Sequence, residues 1–396
     1  MPGVSLSRSV NNPCSVAAAI GCFAIAVLVF MIMPIYVGAL ADSYGFNSQQ
    51  LGWLTSTELL GQVVAILLAL YWIRRLSWRV IMAWSALVLV VCNLLSIYAD
   101  GAYVLLLLIR GLAGFAVGCI LAIGCSLLGD TAQADRNFGL LIGAEVFLQV
   151  IMFALLPRYI AIYGVDAIYS VLAASAVIAL LLSALIPDQG GKHDLEHGGG
   201  KGELRLPALG LFATVLFFAG IMLVWSFIER LGIARGFGSA EIGEALSISG
   251  AVSLLGALLA AVLGDRLGRV LPMLAGVVGI LLSYWVLASQ HSYLGFVFAA
   301  SLMAVFWNFW VPYQMGAVAA VDLGGHYTVL IPFAQSLGVA VGPAVAGRIL
   351  TGEDFMPLIV YSVFFLVVCM ALFLPLLRTI KSNTAARGAE YLESSH

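Results

Sequence analysis

From Ser15 to Leu40 the chain carries no charged residue. That stretch, and the eleven apolar segments after it, constrain the fold more than any other feature. A helix of about twenty apolar residues crosses a hydrocarbon core of ~30 Å. A water-soluble core has no room for twelve of them. Of the 396 residues, 62% are hydrophobic and 10% are charged, against about 25% charged in a soluble domain. Lipid must therefore be the solvent for most of the surface. The net charge of −2 argues against a nucleic-acid partner. The first apolar run is too long for the core of a cleaved signal and is expected to stay as a helix.

Polar breaks separate segments at about 15–40, 49–73, 79–99, 102–128, 138–157, 167–187, 207–231, 241–263, 270–289, 293–319, 328–350 and 357–377. The expected class is an all-α integral membrane protein of twelve helices in two pseudo-symmetric six-helix bundles. The one long break, 188–206, is Gly-rich and charged and reads as a flexible cytoplasmic linker. It separates an N-terminal half, 1–187, from a C-terminal half, 207–396, which ends in a short tail. With the N-terminus in the cytoplasm, thirteen of the 18 Lys and Arg fall inside. The other five, Arg110, Arg158, Arg230, Arg235 and Arg348, fall outside or within the membrane. This bias predicts a multi-pass protein of the inner membrane with both termini cytoplasmic. The six cysteines show neither disulfide nor metal spacing and read as small core residues.

The halves echo one another at one offset. Gly45-Phe46-Asn47-Ser48-Gln49-Gln50-Leu51-Gly52 aligns with Gly236-Phe237-Gly238-Ser239-Ala240-Glu241-Ile242-Gly243, and Arg75-Leu76-Ser77 with Arg266-Leu267-Gly268. A single shift serving several spans implies duplication of a six-helix unit.

A charge at the bilayer centre costs roughly 2.5–3.5 kcal/mol, so each one needs a reason. Glu58 and Gln62 share a helix face, as do Glu145 and Gln149. Such stripes predict polar surfaces on a water-filled cavity, with carboxyls that gain and lose a proton as the cavity opens. Arg110 is expected to pair with Glu58 or Glu145, and these three are the candidate proton-coupling residues. Glu229, next to Arg230, lies near a span end and reads more readily as an interfacial residue. Spans seven and ten supply Trp225, Phe227, Trp307, Phe309, Trp310 and Tyr313, with Asn308 and Gln314 among them. Aromatic faces with a few amides suit a planar or amphipathic organic ligand. The candidate cavity set is Gln62, Gln149, Trp225, Trp307, Asn308, Tyr313, Gln314 and Gln335. Gly111, Gly114, Gly118, Gly338 and Gly342 should let helices approach closely, and Pro34, Pro312, Pro332 and Pro343 should bend theirs.

Between spans eight and nine stands Gly264-Asp265-Arg266-Leu267-Gly268-Arg269. It resembles the D-R-x-G-R part of the loop signature of the major facilitator superfamily. Arg110-Gly111-Leu112-Ala113-Gly114 is similar to that family's R-x-x-x-G motif in span four, which the resemblance links to proton coupling. The first-half counterpart of the loop departs from the pattern, with Arg74 where the acid belongs and Ser77 where glycine belongs. Span five lacks the Gly-Pro run of drug–proton antiporters; a similar run, Gly338 to Pro343, lies in span eleven. Pseudo-symmetry predicts that Asp265 approaches the start of span five, near Asn137. Arg266 or Arg269 would then reach Asp130 or Asp135, so Asp265, Arg266, Gly268 and Arg269 form a candidate conformational latch.

The resulting expectation is a secondary carrier of a small aromatic or amphipathic solute, working by alternating access and coupled to protons, with export preferred. Uptake of an aromatic or other organic carboxylate, anchored by Arg110, is the rival. A transporter-like sensor and a membrane-embedded enzyme are remoter alternatives. No catalytic residue, cofactor or metal is expected, and the partners are solute, protons and lipid, with the chain as a monomer. The string His193-Asp194-Leu195-Glu196-His197 copies an inverted zinc-protease motif. It sits in the linker, without the helix or third ligand such a site needs. Gly200-Lys201-Gly202 lacks the spacing of a phosphate loop. With no ATP-binding domain in the sequence, a gradient or a separate partner is expected to drive transport.

Overall fold

The structure, a computed structural model, describes residues 9–73, 75–189, 205–264, 266–322, 327, 330–352 and 354–394. Its helices are α1 (Pro13–Ala26), α2 (Leu28–Met31), α3 (Met33–Tyr44), α4 (Ser48–Trp72), α5 (Trp78–Tyr98), α6 (Tyr103–Gly129), α7 (Ala134–Tyr163) and α8 (Asp166–Ser183). After the linker come α9 (Arg205–Trp225), α10 (Ile228–Ala234), α11 (Ser239–Leu263), α12 (Val270–Ser289), α13 (Tyr293–Val321), α14 (Ile331–Ile349) and α15 (Met356–Ser394). Among the described residues ten stretches are long and apolar enough to cross a bilayer, α9 and α10 together counting as one. The first expected span is α1, α2 and α3 in series, and the eleventh is α14.

Span one is thus not the unbroken helix that its hydropathy predicts. Val27 (φ −83°, ψ 0°) and Ile32 (φ −99°, ψ 13°) depart from helical geometry. Pro34 follows two residues after Ile32 and has no N–H to give. Span seven breaks at Ser226 and Phe227 (φ −116°, ψ 10°), where an unbroken 207–231 was expected. Span five runs beyond the expected 157, with Pro157 inside the helix. Flanking residues re-satisfy the freed carbonyl when no water competes for it.

The duplication is visible in geometry. Helices α4 and α11 both have 25 residues and start 191 positions apart. Each follows a glycine in the left-handed region, Gly45 (φ 65°) and Gly236 (φ 86°). In each, the third residue reaches back to a backbone N–H at the helix start. Asn47 N donates to Gln50 Oε1 at 3.0 Å, and Gly238 N donates to Glu241 Oε2 at 2.8 Å. Asn47 completes the capping box by accepting from Gln50 N. Short polar motifs between apolar helices are poor candidates for chance, and here the same device recurs at the same offset.

Contacts gather the described residues into two compact units. One draws on 1–195, 225–247 and 343–353; the other on 196–224, 248–342 and 354–396. In the first unit, α4 packs on α6, α5 on α6 and α8, and α1 on α6, α7 and α8. Side chains stitch α1 to α8 and the turn after it: Cys22 Sγ donates to Ala179 O at 3.5 Å, and Ser15 Oγ to Leu185 O at 2.9 Å. This unit also holds the ends of spans from the second half of the sequence. Gly52 of α4 meets the backbone at Pro343 and Gly347, and Gly243 of α11 meets Phe153 and Pro157 of α7. In the second unit, α12, α13 and α15 pack together, and Gly338 and Gly342 of α14 lie against α9. Apolar side chains such as Val64, Leu68, Val80, Leu108, Phe147, Leu258 and Phe364 remain exposed on the spans, as a lipid-facing surface requires.

Candidate functional site

Glycine sets the site. On α6, a Cβ at Gly114 would fall on the Glu58 carbonyl of α4, and one at Gly118 on the Gln62 carbonyl. The two backbones therefore touch, as small-residue stripes allow. Glu58 and Arg110 flank this crossing and turn towards each other. Arg110 Nε donates to Glu58 Oε2 at 3.0 Å, and Nη2 donates to Oε1, giving a bidentate pair. Arg110 Nη1 donates to Asn93 Oδ1 of α5 at 2.7 Å. The guanidinium carbon lies 6.0 Å from the Tyr36 ring centroid of α3 and 5.6 Å from that of Tyr169 of α8. Those two hydroxyls are 3.2 Å apart. Arg110 is 1% exposed and Glu58 4%. A buried ion pair offsets its desolvation only when its geometry is good and its remaining donors are used. Here all three guanidinium nitrogens have acceptors and two ring faces cover the cation.

A small pocket reaches Glu58. It is lined by Ala26, Val27, Val29 and Phe30 at the break in span one, by Glu58, Leu59 and Gln62 of α4, and by Val117 of α6. Glu58 and Gln62 therefore share a wall, as their spacing predicts. The partner of Arg110, open between Glu58 and Glu145 in the sequence, is Glu58. Glu145 is half-buried on α7 and makes no ion pair among the described residues. One turn on, Gln149 Nε2 donates to Met31 O at 3.0 Å, beside the break at Ile32.

In the second unit the amides form a chain. Gln335 Nε2 donates to Gln314 Oε1 at 3.3 Å, Gln314 Nε2 to Thr214 Oγ1 at 2.6 Å, and Thr214 Oγ1 to Gly210 O at 2.8 Å. Gln314 is fully buried and Gln335 half-buried. Asn308 is half-buried, with Nδ2 3.3 Å from Ala304 O. Trp307 is half-buried and meets Phe218 edge-on. Tyr313 is buried against Phe309, and Trp310 is stacked on Phe217 at 3.8 Å. Trp225 belongs to the first unit, where it packs edge-on against Phe153. Most of the aromatic set therefore serves as packing, and Trp307 keeps the most open face of the six.

Of the loop residues, Asp265 lies outside the described residues. Arg266 is exposed, Gly268 is left-handed (φ 63°), and the Arg269 guanidinium lies over Gly316 of α13. The zinc-like string and Gly200-Lys201-Gly202 also fall outside the described residues.

Sequence reasoning missed three groups. Asn93, Tyr36 and Tyr169 complete the cage, and only their depth in apolar runs marked them. Asp188, read as linker, is tied down: its Oδ1 accepts from Ser77 Oγ at 3.0 Å, its O from Trp78 N at 2.8 Å, and Arg79 Nη1 is 3.6 Å from its Oδ2. Ser77 stands where the resemblance expects glycine because it caps α5. Asp42, read as a loop break, is held by Arg230, with Nη1 to Oδ1 at 2.7 Å and Nη2 to Oδ2 at 2.8 Å. Arg230 Nε also donates to Glu229 Oε2 at 2.8 Å, and Glu229 is 3% exposed rather than interfacial.

Helix duplication, apolar spans and a charge pair sealed in a bundle define a polytopic α-helical membrane protein. The family model described as Major Facilitator Superfamily matches residues 18–207. The fold agrees over nearly the whole chain with solved transporters. The nucleoside transporter NupG is 14% identical, with 93% of this chain and 100% of that one covered and a TM-score of 0.70. The xylose transporter XylE from E. coli, in an inward open conformation, is 15% identical, with 91% and 95% covered and a TM-score of 0.73. A D-xylose-proton symporter is 14% identical, with 90% and 96% covered and a TM-score of 0.72. No curated protein sequence matches the chain. Over residues 18–207 the chain resembles the Major Facilitator Superfamily, and its fold is that of these solved transporters.

Proposed function

We propose that this protein is a proton-coupled secondary carrier of a small organic solute without a net negative charge, with export preferred. The observation that carries the reading is the Glu58–Arg110 pair, sealed among Asn93, Tyr36 and Tyr169 yet reached at Glu58 by a pocket at the span-one break. Protonation of Glu58 would remove the charge that neutralises Arg110 and so favour a different packing of the cage. Charge selects the solute. Arg110 is the one fully buried cation among the described residues, and Glu58 occupies it. An organic carboxylate would have to displace Glu58, so the rival reading, with Arg110 as substrate anchor, loses its anchor. Glu145, half-buried and without an ion partner among the described residues, tolerates a neutral or cationic solute.

A second reading is supported by the amide chain of Gln335, Gln314 and Thr214. Amides of this kind suit a neutral polar solute, and the structural neighbours include a nucleoside transporter and a D-xylose-proton symporter. Uptake of such a solute by proton symport is that reading. Purified protein in proteoliposomes separates the two. Under an imposed proton gradient, with neutral polar, aromatic cationic and aromatic carboxylate probes, export of the cationic probe is expected. Gradient-driven accumulation of the neutral polar probe alone would favour symport, and carboxylate transport would overturn the charge argument.

A further inference from the structure

The short helix α3 has two working faces. At about 100° per residue, Gly38 and Asp42 lie roughly 200° and 240° around the axis from Tyr36. Tyr36 turns into the charge cage, with its ring against Arg110 and its hydroxyl against Tyr169. Gly38 and Asp42 turn the other way. A Cβ at Gly38 would fall on the Glu229 carboxylate, and Asp42 holds Arg230 through two hydrogen bonds. Both partners stand on α10, a still shorter helix. Breaks free each piece from the rest of its span: Ile32 before α3, with Pro34 in its first turn, and Ser226 and Phe227 before α10. At the joint itself, Ser226 Oγ lies 3.3 Å from Met33 Sδ.

We propose that α3 is a lever that ties the state of the Glu58–Arg110 pair to a clasp made of Asp42, Arg230 and Glu229. This rests on the reading of that pair as the coupling site. While Glu58 is charged, Arg110 is held by it and the two tyrosines pin α3 in place, which keeps Asp42 within reach of Arg230. When Glu58 is neutral, Arg110 resettles on Asn93 and the tyrosines, Tyr36 shifts, and α3 pivots at Ile32. The clasp then opens the end of the transporter that the Lys and Arg bias places outside. The groups facing the pair are Asn93 and Cys92 on α5, Tyr36 on α3 and Tyr169 on α8. Those facing the clasp are the three residues themselves. Bonds on two faces of one short rigid helix cannot both keep their geometry if either partner moves, and this gives the two sites a common two-state element.

The test uses the full-length protein in nanodiscs, with its native cysteines replaced and spin labels at Gln49→Cys and Ala240→Cys, both exposed. A predominantly short distance is expected in the parent. Arg230→Gln should raise the long-distance fraction roughly threefold or more, and Arg230→Lys should restore most of the short one. Glu58→Gln should produce the same lengthening, and it should add nothing further in a Tyr36→Ala background, where the pin on α3 is already gone. An unchanged distance in Arg230→Gln overturns the clasp. Equal lengthening by Glu58→Gln with and without Tyr36 overturns the lever. If Glu58→Gln does not fold, Asn93→Leu perturbs the same cage and is read against Tyr36→Ala in the same way. Proton-driven flux in proteoliposomes is a separate readout, so a clasp that responds normally without proton-driven flux would reject the coupling function while leaving the clasp standing.

Discussion

A single guanidinium decides most of the first unit. Arg110 makes its hydrogen bonds to Glu58 and Asn93 in a space with almost no exposure. Removing one member of a buried pair leaves the other charge without a partner, which costs about 3–5 kcal/mol. Arg110→Ala and Glu58→Ala should each lower the unfolding temperature in detergent sharply. The double variant should lie closer to the parent than the sum of the two losses. Arg110→Lys should recover little, because an ammonium cannot make the forked contact. Additive losses in that cycle would mean that the pair contributes no coupling. The sequence made both residues conspicuous, since charges are rare in spans. It did not choose between Glu58 and Glu145, because helical spacing fixes positions within one helix and says nothing of the register between helices. The same blindness hid Asp42 from Arg230, 188 positions apart.

At the scale of elements, the spans were legible and their breaks were not. Hydropathy places all twelve segments because lipid imposes length and apolarity on each. A break costs little signal: Val27 and Ile32 are as apolar as their neighbours, and only Pro34 hinted at one. Glycines were flagged for close approach, and the structure ranks them. A Cβ at Gly114 would collide with backbone, whereas one at Gly111 meets the Thr57 methyl at 3.2 Å, a group that can turn aside. Gly114→Ala should therefore cost about 1–3 kcal/mol or more through overpacking, and Gly111→Ala much less. Thermal unfolding of the two variants checks the order, and equal stability would refute a backbone-to-backbone crossing of α4 and α6. The capping device at Asn47–Gln50 and Gly238–Glu241 supports a parallel expectation. Gln50→Ala and Glu241→Ala should each lose about 0.5–1 kcal/mol, as capping contacts typically do.

Across the molecule, duplication produced two halves with one backbone plan and different chemistry. At the offset of 191, Glu58 aligns with Ser249, whose Oγ donates to Ala300 O at 2.8 Å where the first half has its ion pair. A neutral side-chain-to-backbone bond replaces a charged one at the same helix crossing. The second half instead places its buried polarity in the amide chain of Gln335, Gln314 and Thr214. The two halves should therefore fail differently under substitution. Gln314→Leu removes hydrogen bonds worth about 0.6 kcal/mol each and leaves Glu58 untouched. It should weaken solute affinity in counterflow severalfold while the pH dependence of flux keeps its midpoint. Glu58→Gln should do the reverse, abolishing gradient-driven flux and preserving solute exchange at equal pH on both sides. Proteoliposome exchange and gradient-driven assays on the same two preparations measure both properties. If Gln314→Leu moved the pH midpoint, or Glu58→Gln raised the solute KM as much as Gln314→Leu does, charge and recognition would share one site and the division of labour between the halves would not hold.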